Sequence, residues 1–290
     1  MAVYESYDGY RRTDLACESA KEGAAVKEAT GYSVGGFSFA SLSVSEDESE
    51  TLGRRPGRYV TAFAGRITDF DDETADNFSR ALGNELRRFV ADAAGGVSEK
   101  TSALVCGLGN RAVTPDAIGP RVVDLLTVTR NIPSEEKLPI ISAIAPGTLG
   151  QTGIEAAEQL MGAVRETSPD TVIAVDALAS RATERLAATV QICDSGISPG
   201  SGVGNARREI SRATLGVPVI AIGVPTVVDS STLVSDALEA AGLDGYDERL
   251  KRVLDEGREM FVAPRECDVI SEVAASIIAA AIEYAFGIRG

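Results

Sequence analysis

Five short apolar runs, each bounded by glycine, proline or polar residues, set the strongest limit on what this chain can fold into. They are "YVTAFAG" (59–65), "SALVCGLG" (102–109), "LPIISAIAPG" (138–147), "TVIAVDALA" (171–179) and "VPVIAIGVPTVV" (217–228). Their length and β-branched content predict strands buried on both faces, as in a parallel or mixed sheet. Between them, "DDETADNFSRALGNELRRFVADAA", "IGPRVVDLLTVT" and "TGIEAAEQLMGAVRET" repeat apolar residues at helical spacing, with Asp71, Asp72 and Thr152 as expected helix starts. This alternation predicts an α/β fold: a three-layer αβα sandwich around a mostly parallel sheet. A chain of 290 residues, 44% of them hydrophobic, supports one large domain of that kind.

Two regions break the alternation. Residues 1–58 include "SFASLSVSEDESETLGRRPG", whose serines and acids predict a β-rich ribbon or loop outside a main sheet spanning 58–290; no role follows for the acidic segment 44–50. Residues 180–216 begin strand-like and become a glycine-rich insertion, "DSGISPGSGVGN", long enough to suggest function. The carboxy-terminal "VAASIIAAAIEYAFGI" is interrupted by Glu283 and reads as a buried helix too short to span a bilayer.

Acidic residues outnumber basic ones 43 to 28, a formal charge of −15 that argues against nucleic-acid or membrane partners. The basic clusters "GRRPGR" (53–58) and "NARREISR" (205–212) read as solvated surface. An amino terminus of "MAVYESYDGYRR" lacks the pattern of an export signal, so a cytoplasmic location is expected. Cys17, Cys106, Cys193 and Cys267 are too dispersed to suggest a zinc cluster or a disulfide framework.

There is no histidine. This removes histidine-based triads, the histidine general base and ordinary zinc ligand sets, and moves any hydrolytic chemistry onto carboxylates, lysines, hydroxyls or an oxygen-bound metal. In α/β sheets, catalytic groups collect where strands end. Four aspartates sit at such places: Asp116 after the run ending at Gly109, Asp176 in "TVIAVDALA", Asp194 in "ICDSG" and Asp229 in "VPTVVDSS". Asp229, before Ser230 and Ser231, reads best as a helix cap, and Asp194 equally well as a turn residue. Asp176 has the weakest structural explanation, because an acid within an apolar strand needs a partner or a function. Two aspartates brought together share a proton, one activating water and the other polarising a carbonyl. "GLGN" and "GSGVGN" match no complete phosphate-loop pattern and contain no lysine, so turns presenting backbone N–H groups from Gly107, Gly109, Asn110, Gly202 or Asn205 to a substrate fit them as well. No bound cofactor or metal is expected.

Several longer motifs, "RTDLACE" (12–18), "CGLGNRAVTPDAIGP" (106–120), "APGTLGQTGIE" (145–155), "VDALASR" (175–181), "DSGISPGSGVGN" (194–205), "TLGVPVIAIGVPTVVD" (214–229) and "MFVAPRECD" (260–268), together resemble the bacterial spore germination protease family, colinearly and over nearly the whole chain. The resemblance implies an atypical aspartic endopeptidase that degrades small acid-soluble spore proteins in the spore core during germination. It also implies a self-processing zymogen that assembles as a homotetramer, with catalytic aspartates at Asp116 and Asp176. Processing falls in "TD|LACE", between Asp14 and Leu15, making residues 1–14 a propeptide and 15–290 the peptidase domain. Asp194 joins the candidate substrate cleft. The family's fold is similar to that of hydrogenase-maturation endopeptidases, whose corresponding acids bind nickel in the substrate, so a metal-dependent endopeptidase is one alternative. A non-catalytic nucleotide-binding or scaffold protein is another.

Overall fold

The computed structural model describes residues 13–19, 29–201, 207–242 and 260–290. Among the described residues nine strands form one mixed sheet: β1 (Thr30–Val34), β2 (Phe37–Val44), β3 (Gly57–Phe63), β4 (Ser102–Gly107), β5 (Ile140–Ile144), β6 (Thr171–Ser180), β7 (Thr189–Cys193), β8 (Val219–Asp229) and β9 (Phe261–Val262). The helices are α1 (Ala16–Ser19), α2 (Glu46–Leu52), α3 (Asp72–Ala94), α4 (Ile118–Leu125), α5 (Leu149–Thr152), α6 (Ala156–Thr167), α7 (Arg212–Leu215), α8 (Ser230–Ala240) and α9 (Cys267–Phe286). The strand order is β1-β2-β3-β7-β8-β6-β4-β5, with β9 on the end of β8.

Parallel pairing, expected for most of the sheet, is confined to the block β8-β6-β4-β5; every other pair is antiparallel. Within that block the two-residue period of a strand sorts the core into two layers. Ala103, Val105, Ile173, Val175, Ile220 and Ile222 join the cluster built with α3, α4 and α9. Leu104, Cys106, Val172 and Ala174 take the opposite face and join the cluster built with α6 and α7. Helices thus cover both faces, as the alternation predicts.

Three local readings change. The segment 30–44 is a hairpin continuous with the main sheet through β3 and β7, so the sheet begins well before residue 58. The acidic segment forms α2, entered through a Ser45/Glu48 capping box and closed by Gly53 at φ 58°. Thr152 ends a helix instead of starting one: Thr148 and Gln151 make a capping box for α5, Gly153 closes it at φ 71°, and α6 starts after Glu155. Asp71 does cap α3, accepting the Thr74 N–H at 2.8 Å. Helix α9 has 20 residues, long and apolar enough by length and composition to cross a membrane, contrary to the sequence reading. It lies instead in the core against α3 and α4, with Ile277, Ile278 and Ile282 buried. Nor is "GRRPGR" a solvated patch: Arg58 stacks on Phe89 at 3.9 Å, and Arg54 and Arg55 turn toward a cleft at the carboxyl end of the parallel block.

Candidate active site

Strand β6 lies between β4 and β8, so a polar residue inside it is enclosed by sheet on both sides. Asp176 has the parity of Val172 and Ala174 but stands past the last residue of the α6-side core, at the cleft floor. It is 6% exposed, and its Oδ1 accepts the Ala177 N–H at 2.9 Å. Gly223 stands beside it on β8, where a Cβ would come within 2.7 Å of the Asp176 carbonyl. Burial holds the Asp176 carboxyl well above the usual carboxylate range, and the charges of Asp116 and then Asp14 push it the same way.

Asp116 arrives from the neighbouring strand. Beyond β4 the chain folds back through Gly109, at φ 108°, into a 3₁₀ turn at Thr114–Asp116 and then α4. The close approach depends on glycine: a Cβ on Gly109 would lie 2.1 Å from the Asp116 carbonyl oxygen, and one on Gly119 would lie 2.3 Å from Leu108 O and 2.6 Å from Val175 O. Asp116 Oδ2 accepts the Asn110 N–H at 2.8 Å. Burial raises its pKa, and that hydrogen bond pulls the other way. Two buried hydroxyls hold the turn from outside. Thr226 donates to Pro115 O at 2.7 Å, and Ser271 lies 2.7 Å from Thr114 O and 2.8 Å from Cys267 O. Thr226 is available because β8 has a bulge: Leu178 pairs with Pro225 and Ala179 with Val227, leaving Thr226 unmatched. Sequence reasoning missed both residues; only the irregular "GVPT" hints at the bulge.

Both aspartates line one cavity of about 780 Å³, together with Asp14, Arg54, Gly109 and Gln191. Gly107 lies beneath it, packed on Gly119, while Asn110 binds Asp116 through its N–H and Gln151 through its side-chain oxygen. Asp194 is exposed, does not line the cavity and accepts the Arg58 N–H at 2.7 Å, which ties the end of β7 to β3. Asp229 accepts the Ser231 N–H and hydroxyl at 2.9 and 2.7 Å, as a helix cap should. Gly202 and Asn205 lie outside the described residues. The four cysteines are free. Among the described residues no three His, Cys, Asp or Glu side chains gather as a metal-holding group, so the pair offers a metal two carboxylates without a third such donor.

The family profile of the germination proteases matches residues 8–243. The chain belongs to the germination protease family. The germination protease of Bacillus mycoides (strain KBAB4) is 43% identical over 246 residues, covering 79% of this chain and 66% of the relative. That of Priestia megaterium is 44% identical over 210 residues, covering 70% and 56%. The chain thus spans about two thirds or less of the length of these germination proteases. A solved NiFe hydrogenase maturation protease from Thermococcus kodakarensis aligns over 66% of this chain and 97% of its own, with 19% identity and a TM-score of 0.35.

Proposed function

We propose that this chain is an endopeptidase of the aspartic type in which Asp116 and Asp176 act as a pair. The observation that carries the proposal is their convergence, from the ends of two adjacent parallel strands, into one cavity, where burial and the neighbour's charge raise the pKa of the deeper carboxyl. The difference in environment assigns the roles. Asp116, half-buried and supported by a backbone N–H, is the ionised member and takes a proton from the attacking water. Asp176, enclosed by β4 and β8, is the protonated member and donates a hydrogen bond to the scissile carbonyl oxygen as it gains charge. The proton taken up by Asp116 then passes to the leaving amine. Because the two carboxyls are coupled, activity titrates with the pair.

Family membership and the colinear motifs extend the proposal to small acid-soluble spore proteins as substrates, a spore-core location, a homotetramer and a zymogen cut between Asp14 and Leu15. Asp14 borders the same cavity as the pair, which supports that processing site. Asp116→Asn and Asp176→Asn should each abolish cleavage of a small acid-soluble spore protein while the melting transition survives; substantial cleavage by either variant refutes the pair. Intact-mass measurement reports loss of residues 1–14, and light scattering reports the tetramer.

A further inference from the structure

The loop from Asn110 to Asp116 closes on itself, and most of the bonds that close it belong to Asn110. The Ala112 N–H donates to Asn110 Oδ1 at 3.0 Å, and the Val113 N–H donates to Asn110 O at 2.9 Å. The Asn110 N–H donates to Asp116 Oδ2 at 2.8 Å, and the Asp116 N–H returns to Val113 O, also at 2.8 Å. The side-chain oxygen of Asn110 thus folds the chain into an Asx turn, which fixes the backbone around the N–H that meets the carboxylate. Gly109, at φ 108° and too close to the Asp116 carbonyl oxygen for a Cβ, delivers the chain into this ring.

Asn110 Oδ1 takes a second donor from outside the loop. Gln151 Nε2 lies 2.8 Å away, 41 positions later in the chain, on α5 beyond the neighbouring strand β5. Thr148 decides which end of the Gln151 amide faces Asn110: its N–H and hydroxyl meet Gln151 Oε1 at 3.1 and 3.2 Å in the capping box, leaving the NH₂ for Asn110. The described residues that line the cavity include Gly147, Thr148 and Leu149 of this loop, but neither Gln151 nor Asn110. Gln151 is exposed, so water competes for its bond and the bond has little to offer global stability. Thr226 and Ser271 hold the turn at Pro115 and Thr114, whereas Gln151 holds it at the residue whose N–H meets Asp116.

We propose that Asn110 and Gln151 are positioning residues for the ionised Asp116. Gln151 fixes the Asn110 carboxamide, the carboxamide fixes the loop backbone, and the backbone N–H aims the carboxylate that takes the proton from water. The same N–H favours the charged carboxylate against the burial that opposes it. Such aim matters, because misplacing a catalytic group by about 1 Å costs on the order of a hundredfold in rate. The proposal rests on the aspartate-pair reading and names groups outside the cavity on which its base depends.

The test measures steady-state cleavage of a small acid-soluble spore protein by the full-length chain, with Asp116→Asn as the inactive reference. Gln151→Glu keeps an acceptor for Thr148, and an acid suits that capping-box position, but it sets a carboxylate against Asn110 Oδ1 in place of a donor. Its kcat should fall at least tenfold while KM and the melting temperature stay unchanged. Asn110→Ala should cost at least as much in kcat. Adding Gln151→Ala to Asn110→Ala should cost nothing further, because Gln151 acts through Asn110. Should Gln151→Glu fail to fold, Gln151→Met, which also lacks the donor, serves the same arm. An unchanged kcat, a raised KM in place of a lowered kcat, or losses that multiply in the double variant overturn the positioning role. Cleavage that persists in Asp116→Asn sinks the aspartate pair and this role with it. Cleavage abolished in Asp116→Asn but undiminished in Gln151→Glu and Asn110→Ala leaves the pair standing and removes the positioning role alone.

Discussion

Asp176→Asn should make the protein more stable near neutral pH than the unaltered chain, by a margin that grows with pH. The argument begins from enclosure: the Asp176 side chain sits at the floor of the cleft on a central strand, and its folded-state pKa is raised well above 3.8 by burial first and by Asp116 second. A raised carboxyl pKa means that the folded protein holds a proton that the unfolded chain has released. Stability from this group is therefore fully present below the unfolded pKa of about 4 and declines as pH rises toward the folded pKa. The slope for a single proton is at most about 1.4 kcal/mol per pH unit. Asparagine keeps an oxygen for the Ala177 N–H and carries no titration, so the variant escapes the loss. Urea unfolding of both proteins at half-unit steps from pH 4.5 to 8 gives the difference directly. In a background of Asp116→Asn the pH-dependent part of the gain should shrink, because the neighbouring charge is gone. A difference between the two proteins that stays flat across this range would refute the buried, protonated Asp176 and with it the assignment of acid and base.

Gly119→Ala places a methyl 2.3 Å from one backbone oxygen and 2.6 Å from another, neither of which can rotate away, so it should cost about 1–3 kcal/mol in urea unfolding and displace Asp116 enough to stop cleavage. Thr226→Val keeps the shape of the side chain but removes the donor to Pro115 O, leaving a part-buried carbonyl without that partner at a cost of about 1 kcal/mol. Its kcat should fall with little change in KM, whereas lowered stability with unchanged kcat would make Thr226 merely structural. Asp229→Ala should lose about 1 kcal/mol of cap stability in the same unfolding assay and cleave at the normal rate.

The parallel block was the legible part of the sequence, because strands buried on both faces must be apolar throughout and helices that cover them must show a stripe. Asp116 and Asp176 were legible for the same reason, as acids placed where such strands end. The hairpin at 30–44 was not, since Phe39 and Leu42 join different core clusters, and β2 reaches the main sheet through β3, which pairs with β7. Glycine and proline in "GRRPGR" concealed the work of its arginines, which depends on partners such as Phe89, Glu209 and the carbonyl of Thr13. Gln191 gave no signal at all: a polar residue alternating with Val190 and Ile192 reads as the solvent face of a strand, whereas its amide is bonded to residues 14 and 16, some 175 positions earlier, and is buried.

One strand joins the two halves of this site. β6 carries Asp176 within the sheet and then continues to Ser180, beyond the point where β8 bulges, so that its last N–H groups face the segment at 13–18 while its middle faces the cavity. The bulge that releases this end of β6 from regular register also releases Thr226, which holds the turn bearing Asp116. A single irregularity in β8 therefore frees the Thr226 hydroxyl that anchors the turn bearing Asp116, next to the stretch of β6 whose Ala179 N–H meets Asp14. Had β8 remained regular, Thr226 would be a ladder residue opposite β6 and the Asp116 turn would lose an anchor.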